Sequence, residues 1–257
     1  MNPQKLAEVY GALVDQLNQR LARDRISLKL EASSSYTAFN EKLRTRRVHF
    51  ALPNPYQTVL AQDYGYRIFG KIGGDEDFRG IILVRRDSPV TTVPGLKGAT
   101  VAFPAPTALA ATLLPELYLK ENGLDPKRDM TELFVGSHDS ALMSVCLGAS
   151  TAASVSPRAW ESFQRERPDM AQELVVRWQT PTLPNNGLVA LSSVPEHIRH
   201  KVAQAFFQLH ESPESRRLLH LAGTSRYVSA DNATYAPVHA FIARYTSSVR
   251  GLKGLDE

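Results

Sequence analysis

His138, Asp139 and Ser140 supply the three side-chain types of a hydrolytic triad: a base, a carboxylate and a hydroxyl nucleophile. Adjacent residues at a helix start point in different directions, so these three cannot converge on one substrate atom. The sequence has no Gly-x-Ser-x-Gly elbow, no P-loop and no His-Glu-x-x-His. Its acidic residues are scattered, with no paired-carboxylate site. Cys146 is the only cysteine, which excludes an intrachain disulfide and a cysteine-based metal cluster. Following Ala141-Leu142-Met143-Ser144-Val145, it reads as a small core hydrophobe. The expectation is a protein that is not an enzyme and uses no cofactor or metal.

Charge excludes a second class. Thirty Lys and Arg against 26 Asp and Glu leave a formal net charge of +4. The basic clusters, Arg44-Thr45-Arg46-Arg47 and Arg85-Arg86, are short and lack interleaved aromatics, so they read as solvated faces rather than a nucleic-acid surface. With 43% apolar and 22% charged residues, the 257-residue chain has the composition of a globular protein with a sizeable core. Its apolar runs, such as Ile81 to Val84, fall far short of the ~18 residues that a membrane span needs. Met1 leads directly into an amphipathic pattern containing Glu8 and Asp15, without the apolar stretch of a signal peptide.

The elements that must position any site alternate between helix and strand. Leu6, Val9, Tyr10, Leu13, Leu17 and Leu21 recur at helical spacing, with Asn2 at the N-cap and Pro3 at the first helical position. Ile26, Leu28 and Leu30 alternate with polar residues and predict a strand. A short helix over 36–43, a strand over 48–52, a helix from Tyr56, a strand over 66–71 and the run Gly80 to Val84 follow. After turn-rich Ser88-Pro89 and Val93-Pro94-Gly95, a strand over 99–103 precedes a long apolar helix over 107–122. Further strands are expected at 133–135, 152–155, 174–178 and 188–191. Helices are expected at 139–147, 158–167, 195–210, 213–222 and 233–248. The pattern is α/β with at least partly parallel strands. Periodicity leaves open one large sheet or two discontinuous lobes.

Several segments together resemble the phosphonate-type, PhnD-like periplasmic solute-binding proteins of ABC transporters. They are Asn2 to Tyr10, Tyr36-Thr37-Ala38-Phe39, Arg47 to Tyr56, Leu96 to Phe103, Gly136 to Ala141, and Pro184-Asn185-Asn186-Gly187. Their order and spacing hold over nearly the whole chain. The resemblance implies the two-lobed type II periplasmic-binding-protein fold, joined by hinge crossover strands. Lobe 1 would comprise 1–86 and 184–257, and lobe 2 would comprise 87–183, with the ligand in the cleft and closure by hinge bending. In the family a short strand precedes the first helix; here the sequence opens on that helix.

The resemblance also implies the site residues. An oxyanion would be held where the second-lobe helix starts, by hydroxyls and backbone N–H groups. That stretch here is Pro104-Ala105-Pro106-Thr107-Ala108-Leu109-Ala110. Thr107 retains a hydroxyl, while Ala108 and Leu109 offer only backbone donors. Tyr36 and Tyr56 would give phenolic donors and flat apolar walls. Asn54 would either point its amide into the cleft or cap the next helix. His138 matches an oxyanion-contacting histidine, and Asn185 belongs to a ligand-facing stretch. His49 and Thr151 stand where carboxylates facing a ligand ammonium are expected.

The resulting expectation is a monomeric periplasmic protein that captures a small anionic solute, a phosphonate or a related carboxylate or sulfonate. Its partner would be a membrane ABC-transporter permease. The alternatives are an input domain feeding a signalling partner such as a kinase or cyclase, and a hydrolytic enzyme.

Overall fold

The computed structural model describes residues 3–33 and 35–252, with the side chains of residues 3–6 and 36 outside the description. The expected N-cap, Asn2, lies outside the described residues. In chain order the elements begin α1 (Pro3–Leu21), α2 (Tyr36–Arg44), β1 (Phe50–Ala51), α3 (Pro55–Asp63), β2 (Tyr66–Ile72), β3 (Ile81–Arg85) and β4 (Thr100–Phe103). Next come a π-helical turn (Leu109–Leu113), α4 (Leu114–Glu121), β5 (Thr131–Phe134), α5 (His138–Cys146), β6 (Ala152–Val155), α6 (Pro157–Glu166) and α7 (Pro168–Ala171). The chain continues through β7 (Leu174–Gln179), β8 (Gly187–Leu191), α8 (Glu196–Phe207), α9 (Pro213–Ala222), β9 (Tyr227–Ser229) and α10 (Ala236–Ser248). None of the described helices is long and apolar enough to cross a membrane.

The chain divides into two compact units, Met1–Asp75 with Pro184–His239, and Glu76–Leu183 with Ala240–Glu257. Unit 1 carries an antiparallel sheet in the order β1-β8-β2-β9. Leu13, Leu17 and Leu21 of α1 are spaced four apart, so they form one stripe. That stripe packs with Val202 and Ala205 of α8, Leu219 of α9 and Leu188 of β8. The expected strand over Ile26–Leu30 is absent, although Ile26 and Leu28 do pack on this core. Asn18 of α1 takes both main-chain groups of Leu28, donating to its carbonyl at 2.9 Å and accepting its N–H at 2.7 Å. A side-chain amide thus stands in for a neighbouring strand.

Unit 2 holds a mixed sheet in the order β5-β4-β6-β3-β7. β4 runs parallel to β5 and β6, whereas β3 runs antiparallel to β6 and β7. The continuous apolar run of β3 reflects burial on both faces. Ile81 and Leu83 face Ala141, Leu142 and Phe163, while Ile82 and Val84 face Leu96, Leu119 and Leu124. Because β3 lies inside this sheet, the unit begins at Glu76 rather than near residue 87. Cys146 closes α5, half-buried against the same core, with its thiol 3.8 Å from the Met170 carbonyl.

The last segment of the chain also belongs to unit 2 and not, as expected, to lobe 1. Buried charge holds it there. Arg250 pairs with Glu116 and reaches both carboxylate oxygens of Glu132 at 3.0 Å. The Tyr245 hydroxyl donates to Glu116 and accepts from Arg250 Nε at 3.0 Å. Lys127 approaches Glu132 at 3.3 Å, supplying a second positive charge. Burial pushes the Glu132 carboxyl up from its ordinary value. Breaking a buried pair leaves an uncompensated charge, so Arg250→Met should cost about 3–5 kcal/mol of unfolding free energy in urea titrations. The double variant E116Q/R250M should cost less than the two single losses combined.

Candidate ligand-binding site

The register of the unit 2 sheet gathers chain ends with unpaired donors. The C-terminal ends of β4, β5 and β6 lie together because these strands are parallel, and antiparallel β3 starts at the same end. Three segments leave from there: Pro104–Ala108 into the π turn, Ser137 into α5, and Ser156 into α6.

The helix expected over 107–122 is not uniform. Pro115 lacks an N–H, and its ring would clash with the carbonyl four residues back in a regular helix. The preceding turn widens to π geometry, with the Leu114 N–H bonded to the Leu109 carbonyl. The Ala108 carbonyl accepts from Thr112 N at 2.7 Å and Leu113 N at 3.3 Å, and Thr112 Oγ1 donates to the Ala105 carbonyl at 2.7 Å. Among the described residues, no main-chain acceptor takes the N–H groups of Leu109, Ala110 and Ala111. Thr107 and Ala108 are half-buried beside them, and the Thr107 hydroxyl has no partner among the described residues. The Leu109 side chain lies in the core, 3% exposed, so only its N–H is available. Such a turn can hold an oxyanion through backbone donors and one hydroxyl.

His138 opens α5. The Ser137 hydroxyl caps that helix, accepting from Ser140 N at 3.0 Å and lying 2.8 Å from the Ser140 hydroxyl. Asp139 turns outward to Arg167 at 3.5 Å. The triad residue types therefore diverge. His138 Nδ1 is shielded from solvent without a hydrogen-bond partner, and burial holds the imidazole down at about 4. At neutral pH the ring is uncharged, with one nitrogen free to donate.

In unit 1 the expected site residues are mostly occupied. Asn54 caps α3, its Oδ1 accepting from Gln57 N at 2.8 Å while Gln57 Oε1 accepts from Asn54 N at 3.3 Å. Tyr56 is half-buried in the first turn of α3. The side chain of Tyr36, at the start of α2, lies outside the described residues. Asn185 is tied down at every polar group. Its N–H donates to Asp75 at 2.9 Å, its Nδ2 to the Gly74 carbonyl at 3.3 Å, and its Oδ1 accepts from Asn186 N at 2.8 Å. Its carbonyl accepts from the Tyr235 hydroxyl. His49 is exposed beside β1. Thr151 precedes β6 and bonds the Thr100 carbonyl at 2.9 Å, at the opposite end of the sheet from Leu109. A side chain at 151 is therefore remote from the turn.

Gly80 and Ser156, which carry no motif in the sequence, also stand at the end of the sheet that leads into the π turn. A Cβ on Gly80 would come within 2.3 Å of the Ala110 carbonyl and 2.5 Å of Pro115. The widened turn therefore rests on bare backbone. Among the described residues there is no cluster of three or more His, Cys, Asp or Glu that could hold a metal ion.

A family model described as the periplasmic substrate-binding protein of the phosphonate ABC transporter matches residues 1–235. The chain belongs to this family. The phosphonates-binding periplasmic protein of Escherichia coli is 20% identical over 189 residues, covering 72% of this chain and 56% of that protein. The structure of Prochlorococcus marinus PhnD1 in complex with methylphosphonate is 18% identical, with a TM-score of 0.81 over 97% of this chain and 96% of that one. The tetrathionate sensor histidine kinase TtrS of Salmonella typhimurium is 25% identical over 186 residues, covering 65% of this chain and 31% of the kinase. The chain thus spans little more than half of the Escherichia coli protein's length. Its fold is that of the type II periplasmic binding proteins, two α/β units each built on its own sheet.

Two outcomes test this geometry in a phosphonate-family protein. Gly80→Ala should destabilise unit 2 by about 1–3 kcal/mol through overpacking, seen as a lowered melting temperature. In an NMR pH titration the His138 ring should protonate near 4. Because the folded value lies below the ordinary 6.5, the unfolded chain binds more protons between these values. Stability should therefore fall as pH drops from 6.5 towards 4, and less so in His138→Asn.

Proposed function

We propose that the protein captures a small oxyanion outside the cytoplasm and presents it, as a monomer and without turnover, to the permease of an ABC transporter. The observation that carries this reading is the set of unpaired N–H groups at Leu109, Ala110 and Ala111, with the Thr107 hydroxyl beside them. Family membership supports the transport role, and the type of donor supports an anion. A single hydroxyl gives fewer charge-assisted bonds than a tetrahedral anion can accept, each worth roughly 1.5–3 kcal/mol. Phosphonates, sulfonates and carboxylates are therefore the ligand classes to compare. The similarity to TtrS supports a second reading, in which the same unit reports an oxyanion to a signalling partner.

A thermal-shift panel of phosphonates, phosphate, phosphite, sulfonates, carboxylates and amines tests the first reading. A ligand at ~100 times its Kd should stabilise the fold by about 2.7 kcal/mol, a shift of several degrees. Thr107→Val should weaken the best anion roughly tenfold while leaving the melting temperature of the ligand-free protein unchanged. Stabilisation by amines alone would overturn the anion reading.

A further inference from the structure

Arg79 precedes β3 by two residues, and its Nε is shielded from solvent. Among the described residues its guanidinium meets neither a hydrogen-bond acceptor nor a carboxylate. The arginines at the other end of β3 differ. Arg85 bonds Asp87 at 3.0 Å and Glu173 at 2.7 Å, and Arg86 donates to the carbonyls of Gln172 at 3.0 Å and Leu174 at 3.2 Å. A guanidinium stays charged at any working pH and carries five donors in a fixed fork. Shielding part of it without a counter-charge is unfavourable. The described protein supplies no such counter-charge at Arg79.

The sheet register fixes where Arg79 stands. Ile81 pairs with Val155, the last residue of β6, so Arg79 stands at the end of the sheet where β6 finishes, between Phe78 and Gly80, whose carbonyls accept from Leu183 N at 3.0 Å and Thr180 N at 2.9 Å. Gly80 faces the Ala110 carbonyl, and Arg79 sits in the bend just before it, its N–H turned back to the Asp77 carbonyl at 3.2 Å. His138, with its own shielded and unpartnered nitrogen, opens α5 at this same end. β4, which leads to the N–H groups of Leu109 to Ala111, is two strands from β3, ~10 Å at ordinary strand spacing. An extended arginine side chain together with an oxyanion would be long enough to cover that interval.

We propose that Arg79 contacts the oxyanion and sets the charge it carries, favouring a dianion over a monoanion of the same shape. This rests on the reading of unit 2 as the anion-holding unit. One full positive charge would replace the hydroxyls absent at Ala108 and Leu109, and its attraction grows with the charge on the ligand.

Calorimetric titration at pH 8 with methylphosphonate and methanesulfonate compares a dianion with a monoanion of nearly equal shape. Arg79→Gln should weaken methylphosphonate binding at least tenfold and narrow its preference over methanesulfonate, whereas Arg79→Lys should keep part of both. Arg177→Gln is the control. Arg177 also has a shielded, unpartnered Nε, but it sits at the β7 irregularity opposite Ile82 and Leu83, away from this end. It should bind as the parent does. Without ligand, Arg79→Gln should melt no lower than the parent. Equal methylphosphonate affinity in parent and Arg79→Gln overturns the role of Arg79 alone. A parent that binds neither these nor any other oxyanion overturns the anion reading and this proposal with it.

Discussion

Pro115 cannot donate a main-chain hydrogen bond, and the architecture around the candidate site follows from that constraint. The turn before it opens to π geometry, so the first N–H groups of the helix lie in a wider arc than a regular α-helix provides. The Ala110 carbonyl then has to lie against β3, and only a glycine at position 80 leaves room for it. Gly80 is itself fixed by Thr180, whose hydroxyl accepts its N–H at 2.9 Å and whose own N–H returns to the Gly80 carbonyl at 2.9 Å. A missing hydrogen, a missing side chain and one hydroxyl thus determine where three backbone donors point.

The two units are each sewn from distant parts of the chain, by different chemistry. In unit 1 a polar clasp centred on Asn185 links Asp75, Gly74 and Tyr235, and Thr58 accepts from Gly187 N at 3.2 Å. The buried ammonium of Lys71 adds one ion pair to it, with Asp75 at 2.6 Å. Unit 2 instead buries a charge network of Arg250, Glu116, Glu132 and Tyr245. Such a network is weak evidence of net stability but is intolerant of losing one member.

Much of the fold was legible in the sequence because its signals are local. The leucine stripe of α1 and the double-faced apolar run of β3 follow from period and composition alone. Ile26 to Leu30 misled because alternation reports which side chains are buried, and Asn18, not another strand, completes the main chain there. The boundary near residue 87 was misplaced because turn-rich sequence marks a loop, whereas unit membership depends on which strands β3 joins. Thr107, Leu109 and His138 follow the C-terminal ends of parallel strands and so stand at one end of one sheet. Thr151 lies at the other end because parallel strands separate their starts from their finishes. Asn185 is engaged in long-range bonds that no spacing rule reveals, and Gly80 matters through the Ala110 carbonyl and the Pro115 ring, both distant in sequence.

The placement of β3 has a further consequence for how the chain reaches this state. Its partners, β6 and β7, lie far downstream, so the segment Ile81 to Val84 must wait until the chain has been made as far as Val155 and Gln179. Until then it is a short, uncharged, β-branched stretch of the kind that pairs with copies of itself. Arg85 and Arg86 directly follow it and act as gatekeepers, because stacking such strands in register would stack their charges as well. Only when residues 172–174 arrive are these two arginines engaged, by Glu173 and by the carbonyls of Gln172 and Leu174. The same cations that discourage aggregation of the nascent strand thereby become fasteners of the finished sheet.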